Sequence, residues 1–117
     1  MEFKFEKLII WKRAMDFGEE IFQLSQEFPD NEINNLTSQL RRAADSIALN
    51  ISEGSIGQSN LEFQKFINYS IRSLAEVVTC LYKAKRRQYI TDNEFQEKYE
   101  YAFNLMNMLV AFKLKIR

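Results

Sequence analysis

Apolar residues recur at three- and four-residue spacing through most of this chain, and few residues interrupt the pattern. That spacing places side chains on one face of an α-helix, whereas a half-buried strand alternates at every second residue. Three glycines and one proline are the only strong breakers among 117 residues, which is too few for a turn-rich β fold. The pattern therefore predicts an all-α chain of long helices.

Four such segments are separated by short polar stretches. The predicted helices cover residues 8–28, 36–53, 60–88 and 92–116. Short connections make consecutive helices antiparallel, so the expected fold class is all-α, an antiparallel up-down-up-down four-helix bundle. A chain of this length supports one core, and residues 1–117 are therefore expected to form a single domain.

Residues with special backbone preferences mark the expected helix ends. Pro29 is expected to end the first helix, because the residue before a proline avoids the α region. Gly54 is expected to close the second helix in a left-handed conformation. Two pairs have the spacing of a capping box, in which a hydroxyl and a carboxylate each bond one backbone amide: Ser59 with Glu62, and Thr91 with Glu94.

The chain has no histidine and a single cysteine, Cys80. These counts exclude Ser-His and Cys-His nucleophilic sites, the histidine ligands of most zinc sites and the Glu-x-x-His pairs of di-iron bundles. No glycine-rich phosphate-binding loop occurs either. We therefore expect no catalytic site, metal or cofactor. Cys80 lies among apolar residues in mid-helix and is expected to be a packed thiol.

No run approaches the roughly 18–20 apolar residues that a membrane-spanning helix needs. The first residues lack the apolar stretch and small-residue cleavage site of a signal peptide. We therefore expect no membrane partner and a cytoplasmic location.

Positive charge is concentrated on the third predicted helix, although 16 basic and 16 acidic residues give the chain a net charge of zero. Five bases fall on one arc about 100° wide, opposite the apolar face: Lys65, Arg72, Lys83, Arg86 and Arg87. Arg41 and Arg42 are expected at the same end of the bundle as Lys83. Such a stripe suits the phosphate backbone of RNA or DNA. The alternative is an ordinary solvated helix face.

Polar residues line one edge of the apolar stripe on the second helix: Gln39, Ser46, Asn50 and Glu53. Ser73 and Glu76 on the third helix are grouped with them. Asn is a poor helix former, so Asn50 in mid-helix is expected to have a partner. One interpretation is a hydrogen-bond network that fixes helix register, and the other is a ligand or subunit contact.

The first and fourth helices carry more apolar surface than one bundle can bury. A bundle helix needs a stripe somewhat over 100° wide, and both helices exceed it. The candidates for an interface between copies of the chain are Trp11, Met15, Phe22, Leu49, Tyr99, Phe103 and Val110. Large exposed apolar patches usually mark interfaces. The alternative is an irregular bundle in which these rings lie flat over the core.

Several motifs are shared with a known family. The most specific is the block Gln39-Leu40-Arg41-Arg42-Ala43-Ala44-x-Ser46-Ile47-x-x-Asn50-Ile51-x-Glu53-Gly54; others are Leu8-x-Ile10-Trp11-x-x-Ala14 and Ser73-Leu74-x-Glu76. Together they resemble the 23S rRNA intervening-sequence proteins, also called S23. The resemblance implies a four-helix protomer in a ring-like homopentamer. It also implies kinship with the accessory protein of diversity-generating retroelements, a proposed partner of reverse transcriptase and nucleic acid.

The chain departs from the family pattern at two positions. Arg72 stands where the family usually has a glycine before Ser-Leu-x-Glu, and Ser55-Ile56-Gly57-Gln58 stands where an arginine often follows Glu-Gly. The resulting hypothesis is a non-enzymatic oligomeric module that binds nucleic acid or serves as a nucleoprotein adaptor. The alternative is a protein–protein interaction scaffold that binds no nucleic acid.

Overall fold

A computed structural model describes residues 1–117 and contains four α-helices and no strand. The helices span Ile9–Ser25 (α1), Leu36–Ser55 (α2), Asn60–Arg86 (α3) and Asp92–Lys115 (α4). Each helix packs against its neighbours in sequence, and α4 returns to α1, so the four enclose one core in a rod of 43 × 23 × 23 Å. The predicted all-α four-helix bundle is confirmed.

The core is one continuous cluster of 25 buried apolar residues. Every helix contributes side chains that are almost fully shielded from water, among them Phe17, Leu40, Leu74 and Leu105. These residues belong to the three- and four-residue spacing seen in the sequence, and their burial is the main force that holds the helices together. None of the helices is long and apolar enough to cross a membrane.

The first helix ends three residues before its predicted end. After Ser25 the chain tightens, because the amides of residues 26–28 bond carbonyls three residues earlier instead of four. Phe28 is buried all the same, and its ring lies 5.5 Å from that of Tyr89. Pro29 thus stands beyond the helix end, since a 3-10 turn has already closed α1.

The connection between α3 and α4 follows from local backbone chemistry. Gln88 has a φ of 64° and occupies the left-handed position after the helix, where the amide of Tyr89 bonds the Ala84 carbonyl at 2.9 Å. The capping box of Thr91 and Glu94 is confirmed with both hydrogen bonds, whereas Ser59 accepts the Glu62 amide without the return bond.

The prediction that Gly54 caps α2 is wrong. Gly54 lies inside the helix, and no glycine in the chain has a positive φ. A Cβ at this position would stand 2.6 Å from Phe66 Cβ and 2.9 Å from Phe63 Cδ1. Gly54 is therefore required for the close approach of α2 and α3, which is a tertiary constraint.

A buried carboxylate joins the two connections at one end of the bundle. Glu32, in the α1–α2 connection, accepts hydrogen bonds from Tyr89 Oη at 2.7 Å, Arg87 Nη1 at 3.0 Å and Asn35 Nδ2 at 2.9 Å. Tyr89 and Arg87 donate to Oε2, whereas Oε1 accepts from Asn35 and also from the first amide of α2, that of Leu36, at 3.4 Å. Led by the Tyr89 bond, these donors lower the pKa of Glu32 from 4.5 to about 2. Glu32 thus caps the start of α2 from within the α1–α2 connection.

Candidate nucleic-acid interface

An open groove of about 700 Å³ runs between α2 and α3. Because the two helices are antiparallel, the first half of α2 lies beside the last half of α3. The groove is lined by Gln39, Arg42, Ala43, Ser46, Ala75, Glu76, Thr79, Cys80 and Lys83. The fold therefore brings Arg42 and Lys83, separated by most of two helices in sequence, to one surface.

Three bases on α3 continue this surface along the helix. Lys65, Arg72 and Lys83 point within about 20° of one another at 100° per residue, and they span about 27 Å along the axis. Together with Arg42 on α2 they form what we call the basic row. All four side chains are exposed, and none takes part in the four salt bridges of the molecule.

Three of the predicted bases lie outside the basic row. Arg41 is turned toward α1: its Nε donates to Ser25 Oγ at 2.7 Å, and its guanidinium lies 4.4 Å from the Phe22 ring centroid. Arg87 pairs with Glu32. Arg41 therefore points away from Arg42 and the groove, because adjacent helical residues point 100° apart.

Arg86 is exposed at the margin of the row. It borders a smaller depression near the start of α4, together with Lys85 and Asp92. Lys85 is half-buried, forms an ion pair with Asp92 at 3.8 Å and lies over the Phe95 ring. Arg86 thus stays available to an anion beside the basic row, while Lys85 belongs to the α3–α4 contact.

The predicted polar seam divides into a bonded part and an open part. Ser46 Oγ and Ser73 Oγ are 2.6 Å apart across the two helices, and Asn50 Nδ2 donates to the Ser46 carbonyl at 2.8 Å. A third contact, from Ser70 Oγ to the Ile47 carbonyl at 2.8 Å, is fully buried. The Ser46–Ser73 and Ser70–Ile47 bonds join α2 to α3 and favour the structural interpretation for Ser46 and Ser73, whereas the Asn50 bond stays within α2.

The open part of the seam faces solvent. Gln39 and Glu76 line the groove from opposite helices, and Glu53 is exposed two residues before the end of α2. None of the three side chains makes a hydrogen bond to another side chain or to the backbone. They are therefore free to contact a ligand or another subunit.

Cys80 lies at the floor of the groove and is buried. Its burial raises the pKa of the thiol, so it stays protonated at neutral pH and is a poor nucleophile. No group of three or more acidic, cysteine or histidine side chains is placed to hold a metal ion.

The apolar interface candidates lie mainly on two opposite sides of the bundle. Met15 and Phe22 are exposed where α1 meets α2, while Phe103 and Val110 are exposed on the side of α4 that faces α3. Leu49 is exposed on the outer surface of α2. Five of the seven candidates are therefore uncovered in the single chain.

The other two candidates pack against the core. Trp11 is half-buried under Phe5, with ring centroids 5.1 Å apart, and Tyr99 is half-buried between Phe95 and Tyr82. The interpretation that the rings lie flat over the core applies to these two.

Sequence reasoning missed Tyr82. This residue on α3 is exposed and joins Tyr99 and Phe103 of α4 in one aromatic row. Its position at the edge of the α3 stripe was visible in the sequence. Which neighbouring helix it would meet was not, because that depends on how the bundle closes.

The fold and the groove define a four-helix-bundle protein with a basic, polar α2–α3 face. The chain belongs to the family of 23S rRNA-intervening sequence proteins, because the family model matches residues 6–111. Among solved structures it is similar to a protein of unknown function from the S23 ribosomal protein family of Bacteroides thetaiotaomicron. That likeness has a TM-score of 0.82 and 21% identity, covers 90% of this chain and 98% of the other, and shows the fold alone. No curated protein matches the sequence.

Proposed function

We propose that this protein is a non-enzymatic, self-associating module that binds the phosphate backbone of RNA or DNA. The observation that carries the proposal is the basic row, in which three aligned cations on α3 and Arg42 on α2 are exposed without an ion-pair partner. Lysine and arginine side chains in such an arrangement contact phosphates and position a nucleic acid without reading its bases. The neutral net charge does not oppose this, since a local patch governs the encounter.

The neighbouring side chains in the groove support the same function. Gln39 presents its amide group beside Arg42 and Lys83. Such neutral groups donate to phosphate oxygens in many nucleic-acid complexes. Glu76 is the one acidic residue of the groove, so positive charge prevails there.

Self-association is supported by the placement of the exposed apolar residues. The α1–α2 patch and the α3–α4 patch have different residues and lie on opposite sides of the bundle. Contact between unlike patches of successive copies is head-to-tail. Such contacts produce a ring when the rotation that relates one copy to the next brings the last copy back to the first. A ring-like homopentamer is the assembly that we propose. It would repeat the basic row around the assembly and raise the avidity for a long polyanion.

On this proposal the protein acts through its binding surfaces and catalyses no reaction. Cys80 is the strongest nucleophile in the groove, and burial keeps it protonated. The groove carries one carboxylate, Glu76, so a pair of carboxylates for acid–base work is not assembled there.

Sedimentation velocity tests both parts of the proposal. The purified protein is run alone and with a mixture of RNA and DNA fragments at about 50 mM salt, and again at about 200 mM. We expect an oligomer alone and a faster nucleoprotein species at low salt. With four phosphates neutralised, the affinity is expected to fall about 150-fold between the two salt concentrations. A monomer that ignores both nucleic acids at low salt would refute the proposal.

A protein–protein scaffold is the second candidate function. It is favoured by the aromatic row of Tyr82, Tyr99 and Phe103, which continues beyond the core onto the α3–α4 surface. On that alternative, Phe103→Glu abolishes assembly or partner binding, whereas reversing the charges of Lys83 and Arg86 changes neither. Loss of nucleic-acid binding on charge reversal, with assembly intact, separates the two candidates.

A further inference from the structure

We infer that the basic row recognises the backbone of a double helix in preference to a single strand. This inference rests on the function proposed above and names the class of nucleic acid for the same site. Three features of the α2–α3 face carry it: the position of the aromatic rings, the rigidity of the row, and the carboxylate that interrupts it.

The aromatic side chains are in the wrong place for single-strand binding. Proteins that bind single strands stack bases on exposed aromatic rings, which contributes about 1–3 kcal/mol per base. Tyr69 is the aromatic residue beside the row, and it is half-buried, with its ring edge-on to Phe66 at 5.5 Å and Lys65 Nζ 6.0 Å away. The exposed rings of Phe22, Tyr82 and Phe103 lie on other faces, those of Tyr82 and Phe103 on the α3–α4 side. A single strand would therefore gain charge contacts here but little stacking.

The row is a straight and rigid support. Its three α3 members lie on one unbroken helix, which is held to α2 by the Ser46–Ser73 and Ser70–Ile47 contacts and by the close approach at Gly54. Over its length of about 27 Å, a duplex presents about 16 phosphates and a single strand about half as many. A duplex is already a stiff rod, whereas a single strand must lose conformational freedom to follow the row.

The spacing of the charges also fits a grooved polyanion. Arg72 and Lys83 are about 16 Å apart along the helix axis, and Glu76 projects between them. A continuous track of phosphates would pass this exposed carboxylate at close range. In a duplex, a groove about 6 or 12 Å wide separates the two backbones. Glu76 and Thr79 can therefore face the groove while Arg72 and Lys83 contact phosphates on either side of it.

Fluorescence anisotropy with four probes tests the inference. The probes are a DNA duplex of about 20 base pairs, an RNA duplex of the same sequence, and one unstructured strand of each. About 10 base pairs make one helical turn, so each duplex has about two turns. At about 50 mM salt we expect each duplex to bind at least about tenfold more tightly than its strand. The strand gains little base stacking on this surface and carries about half the charge density of the duplex. The logarithmic salt slope for a duplex is expected to be about −3.6, for four phosphates.

Matched charge reversals locate the site. Arg72→Glu with Lys83→Glu is expected to lower duplex affinity by at least about tenfold. Lys12→Glu with Arg13→Glu changes the net charge equally on exposed positions of α1 and is expected to leave most of the affinity in place. Circular dichroism confirms that both variants are folded.

The outcomes distinguish this inference from the proposed function. Strands that bind as tightly as duplexes overturn the duplex preference and leave nucleic-acid binding in place. Absence of binding to all four probes overturns the proposed function and the inference together. An equal loss of affinity in the control variant shows that the basic row is not the site and overturns the inference.

Discussion

Two alanine substitutions at glycines are expected to have opposite effects on stability. Gly54 and Gly18 are both buried within helices, and alanine is the better helix former by up to about 1 kcal/mol. At Gly18 a new Cβ would meet Asp45 Oδ1 at 3.6 Å and the Ala44 carbonyl at 3.8 Å, which are ordinary contacts. Gly18→Ala is therefore expected to raise the free energy of unfolding by about 0.5–1 kcal/mol.

At Gly54 the steric term dominates. The new Cβ would stand 2.6 Å from Phe66 Cβ, an atom fixed to the α3 backbone that cannot rotate away. The helices must separate by about 1 Å for ordinary contact, and overpacking of this kind costs about 1–3 kcal/mol. The helix-propensity gain offsets only a few tenths of that, because Gly54 is the penultimate residue of α2. We expect a net loss of about 2 kcal/mol for Gly54→Ala.

Urea and thermal unfolding of the two variants beside the native protein measure the difference. For a chain of this size about 1 kcal/mol shifts the melting temperature by about 4 °C, so Gly54→Ala is expected to lower it by about 8 °C. Gly18→Ala is expected to raise it by about 2–4 °C. If both substitutions stabilise the protein to a similar extent, the close approach of α2 and α3 at Gly54 is refuted.

Three further outcomes are expected. Because the pKa of Glu32 is lowered to about 2, its ionised form stabilises the fold above pH 4.5, and that contribution is lost as the pH falls toward 2. Urea unfolding across this range should therefore show a free energy of unfolding that depends less on pH in Glu32→Gln than in the native protein. Gln88 has a left-handed φ of 64°, which strains any residue except glycine, so Gln88→Gly is expected to raise the melting temperature by about 2–4 °C in a thermal scan. An unchanged or lower melting temperature would show that the backbone at Gln88 is not strained. The buried Cys80 thiol is expected to react with iodoacetamide at least about tenfold more slowly in native than in unfolded protein, and equal rates contradict its burial.

Features set by short stretches of chain were predictable from the sequence. Four helices follow from apolar spacing, and the capping box of Thr91 and Glu94 requires only residues three apart, so both of its hydrogen bonds form as expected. The absence of histidine likewise limits the available chemistry whatever the fold. The helices and the capping box can be predicted because the interactions that produce them join residues close together in the sequence.

Features set by distant partners were not predictable. A glycine near a helix end signals a cap and a close packing site equally well, and only the position of Phe66 on α3 decides for Gly54. Arg41 and Arg42 are adjacent in sequence, yet one meets Ser25 on α1 and the other the α3 groove. The role of Glu32 could not be predicted, because its main partner, Tyr89, lies 57 residues further along the chain.

The arrangement of surfaces has a consequence for how assembly and binding would combine. The apolar patches lie on the α1–α2 and α3–α4 sides, whereas the basic row runs from Arg42 and Lys83 in the α2–α3 groove along the exposed face of α3. On the proposed head-to-tail contact, neighbouring copies cover the patches and leave the row open. One row of four cations would bind weakly at physiological salt, but several rows held in the proposed assembly would act on the same polyanion at high effective concentration. The apolar excess and the local positive charge, which look unrelated in the sequence, then serve one function.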